Sequence, residues 1–334
     1  MIVILKHGVT DEKRDQLINW FKTQGLGVDV SKGEFQTILG LIGDVLSLDT
    51  DMIESLDIVQ ATRRVTEPFK RCNRKFQPDD TVISVAGASL GGGNFAFIAG
   101  PSSIESEEQI VQVAEAVKAA GGDIFTGGSI SAKTASHNLQ KKNLLEIDRL
   151  KLAKKETGMP VAKELISVED IPKYEDVDIL IIGERNMCNY PLLAAAGDTD
   201  KTIILKRSVS ATLEELLMSA EYIMAGGNKN IILCERGLRT FSSETKTTFD
   251  ISAIPLLKEM SHLPVIADVS RSTGLNRLVR PVSLAACAAG ADGLMIDVHN
   301  DPSGAVRNGG QAISTEAFGT LAKDICRLRE ALGK

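Results

Sequence analysis

From Phe95 onward the chain repeats one pattern eight times: a short apolar run, then an amphipathic stretch. The runs are FAFIAG (95–100), GDIFTGG (122–128), MPVAKEL (159–165), VDILIIGER (177–185), KTIILKR (201–207), KNIILCER (229–236), LPVIADVS (263–270) and ADGLMIDVH (291–299). Unbroken apolarity belongs to strands buried on both faces, and helices between them make those strands parallel. Eight units predict an α/β fold, a (β/α)8 TIM barrel over 95–334. A doubly wound open sheet is the competing arrangement. The count of eight favours the barrel, as does the lack of a G-x-G-x-x-G loop after the first run.

The first seventy residues keep a different rhythm. MIVILK reads as a strand, and DEKRDQLINWFKTQG as a helix with Thr10 as N-cap, Gly25 as C-cap, and Leu17, Ile18 and Phe21 on one face. Two strand-like runs, a short helix and a last strand follow. The order β-α-β-β-α-β predicts a small N-terminal ferredoxin-like α+β domain over 1–68, with a regulatory or oligomerisation role. Residues 69–94 read as a linker and then a lid hairpin, TVISVAGASLGGGNF, with a glycine turn.

A net charge of −6 and 4% aromatic residues argue against nucleic acid as a partner. No run of eighteen apolar residues suggests a membrane span, and MIVILKHG is too short for a secretion signal. Five scattered cysteines without a C-x-x-C pair suggest reduced thiols and a cytoplasmic location. The four histidines show no metal-ligand spacing.

Active sites in such barrels lie at the C-terminal strand ends. Here those ends read GPSS, TGGSISAKT, AKE, GERN, LKRS, CERG, ADVSRS and IDVHND. Arg185, Lys206, Arg207, Arg236 and Arg271 lie at or just past them, joined by Lys133 and Lys163. So many cations at one mouth suit phosphate and carboxylate groups, hence phosphorylated small-molecule substrates. Some of them could instead pair with Glu164, Glu184, Glu235 and Asp268. His299 ends the eighth run and is a candidate acid or base, or a rim residue. His137 reads as solvent-exposed, and His262 as a cap or packing group before the seventh run.

IAGPSSIES, IGERN, IILKR, IILCERGLRTF and DISAIPLLKEMSHLP, with the N-terminal unit, resemble 3-deoxy-D-arabino-heptulosonate 7-phosphate (DAHP) synthases that carry a ferredoxin-like domain. The resemblance spans nearly the whole chain. It implies condensation of phosphoenolpyruvate with erythrose 4-phosphate, release of phosphate, a divalent metal, and a homo-oligomer, dimer or tetramer. It implies that Arg185, Lys206 and Arg236 hold phosphoenolpyruvate, and that Lys133 and Thr134 stand where K-P-R-T-S grips the acceptor phosphate.

Against that family pattern the metal positions have changed. Ser102 replaces a cysteine, Arg271 a histidine, Asp297 a glutamate and Asn308 an aspartate, so the family metal is expected to be absent and no metal ligand is assigned. Arg271 would then stand in for the metal charge. Thr126 and Ser131 replace two family cations. Glu184 replaces an alanine beside the donor phosphate and would oppose it unless it turns away or pairs with Arg207. Lys163 stands where the family has threonine, as packing, ion pair or Schiff-base nucleophile. The expected function is a metal-independent condensation of phosphoenolpyruvate with a phosphorylated aldehyde, with Arg271, Lys163, Lys206 and His299 as catalytic candidates. Ser102, Asp297 and Asn308 complete the expected substrate contacts. The alternatives are a Lys163 imine aldolase and a catalytically silent metabolite- or partner-binding homologue.

Overall fold

The computed structural model describes residues 1–33, 36–45, 48–128 and 136–334, without the side chains of 136–142. Contacts divide them into two units: residues 1–80 with 259–262, and the remainder.

The first unit is built from β1 (Ile2–Leu5), α1 (Asp11–Thr23), β2 (Gly27–Lys32), β3 (Thr37–Ile42), α2 (Thr50–Glu54) and β4 (Val59–Arg63), as its β-α-β-β-α-β pattern predicts. The strands form an antiparallel sheet in the order β2-β3-β1-β4, the ferredoxin-like arrangement. Alternation along β1 and β3 sends Val3, Leu5, Leu39 and Leu41 to the helices, where they meet Phe21 and Ile53. Ile2, Ile4 and Ile38 on the other face meet Val65 and Phe76. The Thr10 hydroxyl caps α1 by accepting from the Lys13 amide. The expected C-cap, Gly25, stands one residue beyond the cap Gln24. Its φ of +77° is the left-handed geometry that ends a helix. Residues 69–80, read as linker, group with this unit through turns and an Asn73–Ser261 bridge.

The second unit opens with a hairpin, β5 (Ile83–Val85) and β6 (Ala88–Leu90), turned at Ala86–Gly87 with positive φ at both residues. Eight parallel strands follow: β7 (Ala96–Gly100), β8 (Ile124–Thr126), β9 (Val161–Leu165), β10 (Ile179–Ile182), β11 (Thr202–Lys206), β12 (Ile231–Glu235), β13 (Val265–Asp268) and β14 (Gly293–His299). β14 pairs with both β13 and β7, so the sheet closes into the expected (β/α)8 barrel. A two-residue β15 (Ile313–Ser314) adds to β14. The crossovers carry α3 (Glu107–Ala119), α4 (Ser136–Thr157), α5 (Tyr190–Gly197), α6 (Leu213–Ala225), α7 (Ala253–Met260), and α8 (Val269–Thr273) with α9 (Asn276–Ala288); α10 (Thr315–Ala331) ends the chain. Between β9 and β10 the crossover is a 3₁₀ segment, Val168–Tyr174, that contains Pro172.

The lower lumen is apolar. Ile98, Ile124, Ala162, Ile179, Ile204, Ile232, Ile266 and Met295 pack in one cluster with Ile83, Ala88 and Leu90 of the hairpin. Leu90 lies against Gly293, the first residue of β14, and Gly91 against Pro264, which precedes β13. The hairpin therefore plugs the N-terminal end of the barrel. It was expected to be a lid, but its three apolar residues bury themselves where the lumen is apolar, away from the charged mouth. No helix among the described residues is long and apolar enough to cross a membrane.

Candidate active site

Successive strand residues face opposite sides of a sheet. Ala162, Ile204, Cys234 and Ile266 point into the lumen. Two residues on, at the strand ends, the same parity brings Glu164, Lys206, Arg236 and Asp268 to the mouth. It turns Lys163, Arg207 and Glu235 toward the helices.

A small cavity sits at the mouth, lined by Ser102, Thr126, Glu164, Lys206, Arg271 and Asp297 among others. Lys206 Nζ lies 2.5 Å from Asp268 Oδ2, and both are buried. Asp268 also caps α8: its Oδ1 accepts from the Arg271 amide at 3.2 Å, while Arg271 Nε lies 4.0 Å from its Oδ2. Burial would raise the Asp268 carboxyl, but Lys206 and Arg271 outweigh it and hold it below the usual carboxylate range. Asp297 moves the other way. Burial raises it, although Arg271 and a hydrogen bond from Gln311 Nε2 oppose the shift. Burial works against the Arg271 charge, yet Asp297, Asp268, Glu164 and Glu184 keep the guanidinium firmly protonated.

Arg271 also lines a second, outer cavity of about 360 Å³ with Glu184, Arg185, Arg236, Arg239, Lys246 and Asn308. Arg236 is 3% exposed, and its Nε has no hydrogen-bond partner among the described residues. A buried, unsatisfied guanidinium N–H is a donor waiting for an acceptor. Lys246 is exposed at the rim, and partial desolvation there, reinforced by Arg271 and Arg236, lowers its ammonium below its ordinary pKa. Burial would raise Glu184, but Arg236, Lys206 and Arg271 bring it below the usual range. The two cavities thus differ in charge. The inner one is lined by cations that already face carboxylates, while the outer one has cations in excess and suits a phosphate.

The structure gathers Ser102, Lys206, Arg271 and Asp297 around the inner cavity, and Arg185, Arg236 and Asn308 around the outer one. Asn308 adopts φ +59° before the 3₁₀ turn Gly309–Gln311. Lys133, Thr134 and Ser131 lie outside the described residues, as does the side chain of His137.

Two catalytic candidates line neither of these two cavities. Lys163 is wholly buried behind β9, where its Nζ lies 2.5 Å from Glu146 Oε2 of α4 and 2.6 Å from the Gly128 carbonyl oxygen. Strand parity turns it away from the lumen, which parts the amine of the imine reading from the inner cavity. His299 is 5% exposed and lines neither cavity; its Nδ1 accepts from the Asp301 amide, and its Nε2 faces Gln109 and Glu105. Arg207 pairs with Glu235 and Asp250, each at 2.9 Å, and not with Glu184. His262 packs as expected, with Nε2 2.8 Å from the Arg71 carbonyl oxygen. Among the described residues no three His, Cys, Asp or Glu side chains gather as a metal site.

Sequence reasoning missed Arg239, Lys246 and Gln311. Arg239 belongs to the CERGLRTF stretch and could have been found there. Lys246 carries no local signal, since a loop lysine reads as solvated. Gln311 joins the site only because the chain turns back at Gly309–Gln311.

The barrel, residues 79–333, matches the DAHP synthetase I family, and residues 1–67 match the DAHP synthase ferredoxin-like domain. The phospho-2-dehydro-3-deoxyheptonate aldolase of Thermotoga maritima is 40% identical over 334 residues, covering 100% of this chain and 99% of that protein. Its crystal structure superposes with a TM-score of 0.77 over 99% of this chain and 97% of the other. The 2-dehydro-3-deoxyphosphooctonate aldolase of Syntrophobacter fumaroxidans is 28% identical over 262 residues, 73% of this chain and 90% of that one.

Proposed function

The chain belongs to the DAHP synthetase I family and is an enzyme of DAHP-synthase-type aldol condensation; from that premise we propose that it joins phosphoenolpyruvate to a phosphorylated aldehyde without a divalent metal. The observation that carries the reading is the place of Arg271. Arg271 lines both cavities, with Ser102 and Asp297 in one and with Arg185 and Arg236 in the other.

The four positions that hold the metal in the family offer a divalent cation a poor donor set here. Ser102 and Asn308 are neutral, Arg271 is a cation, and Asp297 already accepts from Gln311. Such an ion wants several oxygen, nitrogen or thiolate donors and no adjacent positive charge. Arg271 supplies a fixed positive charge instead. In this reading Arg236, Arg185 and the remaining N–H groups of Lys206 hold the donor, and the loop with Lys133 and Thr134 receives the acceptor phosphate. The donor methylene bonds to the aldehyde carbon. The aldehyde oxygen, stabilised by Arg271 as negative charge develops, takes up a proton. One water is consumed, and phosphate departs as the donor carbon becomes a ketone.

The test is phosphate release from phosphoenolpyruvate plus erythrose 4-phosphate in excess EDTA, then with Mn²⁺ added. Release in EDTA is expected. Release only with Mn²⁺ refutes the role given to Arg271, and no release in either condition refutes the substrate pair.

A further inference from the structure

Lys163 lines neither cavity, yet its ammonium is one of the most deeply buried charges in the barrel. It joins three elements. Nζ belongs to β9, Glu146 to α4, and the Gly128 carbonyl to the chain leaving β8. Gly128 is itself a node. Its N–H donates to the Pro101 carbonyl at 3.1 Å, so it ties the end of β8 to the turn that carries Ser102. Its φ is +66°, and a Cβ there would come within 2.7 Å of Lys163 Nζ and strike the Glu146 carboxylate, so the pair is pressed against the chain. Both walls joined at Gly128 line the inner cavity: Gly100, Pro101 and Ser102 on one side, Thr126, Gly127 and Gly128 on the other. A second buried contact lies alongside. The Tyr174 hydroxyl donates to the Glu164 carbonyl at 2.7 Å and is bonded to Asn143, one helical turn from Glu146.

We propose that Lys163 is a positioning residue: bridging Glu146 and the Gly128 carbonyl from behind the barrel, it fixes the Ser102 and Thr126 walls of the cavity at their working separation. This rests on the reading that the inner cavity houses the condensation. An ion pair in this place adds little net stability, because the desolvation of two charges offsets their attraction. What it does add is direction. Three ammonium hydrogens fix one carbonyl against one carboxylate, where an apolar side chain would fix only a volume.

The experiment uses full-length protein with both members of the pair replaced, Lys163→Met/Glu146→Met, so that neither charge is left facing the gap of the other. Amide exchange at Gly128 is read beside steady-state phosphate release. The expected result is a thermal midpoint near the parent's and Gly128 exchange faster by at least about tenfold, with β11 unchanged. We expect kcat lowered by roughly 10–100-fold and both KM values within about threefold, since misplacing a wall harms the reacting geometry more than the binding. Unchanged Gly128 protection, or unchanged kcat despite local loosening, overturns the proposal. So does exchange that rises throughout β9 and α4 with a fallen midpoint, which marks a merely structural pair. If the parent itself releases no phosphate, the condensation reading fails alone, and the Gly128 exchange still decides whether the clamp exists.

Discussion

Lys206 and Arg207 are neighbours in the chain and serve opposite sides of the same barrel wall. Lys206 faces the cavity and meets Asp268; Arg207 faces the helices and meets Glu235 and Asp250. Lys163 and Glu164 divide in the same way, the lysine behind the wall and the carboxylate at the mouth. On both sides the pairs are buried and short, so burial and distance alone do not distinguish a substrate-facing pair from a scaffold pair. What differs is the surroundings. The front pair borders a cavity and has further cations close by, while the back pairs are closed by backbone carbonyls such as Gly128 and Ala211. A buried charge with its donors spent on carbonyls is scaffold, and one beside open space is available to a ligand.

The largest effect expected from this contrast is on the back. Lys163→Met alone removes the ammonium that faces the buried Glu146 carboxylate and should cost about 3–5 kcal/mol in urea unfolding, with most of it regained when Glu146→Met is added. A loss below about 1 kcal/mol would mean that the back pair is solvated and the contrast false. On the front, Arg271→Met should lower kcat by roughly 10²–10³, about 3–4 kcal/mol of transition-state stabilisation, with little change in unfolding midpoint. If the midpoint collapses while kcat per folded molecule holds, Arg271 belongs with the scaffold. Below both, Leu90→Ala should remove at least about 2 kcal/mol of stability by opening a cavity in the plug, and leave KM and kcat intact. Altered KM would return the hairpin to the role of a lid.

The finest test uses pH. Asp268 titrates below its ordinary range in the fold, so its contribution is present above about pH 4 and is lost as pH falls further. Glu235 behind the wall is raised by burial, against its Arg207 hydrogen bond. The fold then holds that proton where the unfolded chain has lost it, so its contribution shrinks as pH rises above about 4. The destabilisation by Asp268→Asn should therefore fade on acidification, while that by Glu235→Gln should be least at neutral pH. Parallel profiles for the two variants would erase the difference between front and back.

Much of the architecture was legible. Eight apolar runs spaced by amphipathic stretches became eight parallel strands, and the change of rhythm before residue 70 became a ferredoxin-like unit, because hydrophobic periodicity is a local property. The cluster of cations at strand ends was legible as well, since every C-terminal end of such a barrel opens on one face. The purpose of the hairpin was not: a short strand with a glycine turn reads alike at either end of a barrel.

The sequence by itself determined which strand ends carry charge and of which sign. The tertiary structure alone decided which of two adjacent residues, Lys163 or Glu164, Lys206 or Arg207, enters the cavity. The physical reason is the burial that made the strands visible. A strand apolar on both faces carries no alternation, so nothing in its pattern marks the lumen side, and partners as distant as Lys206 and Asp268 meet only when the barrel closes.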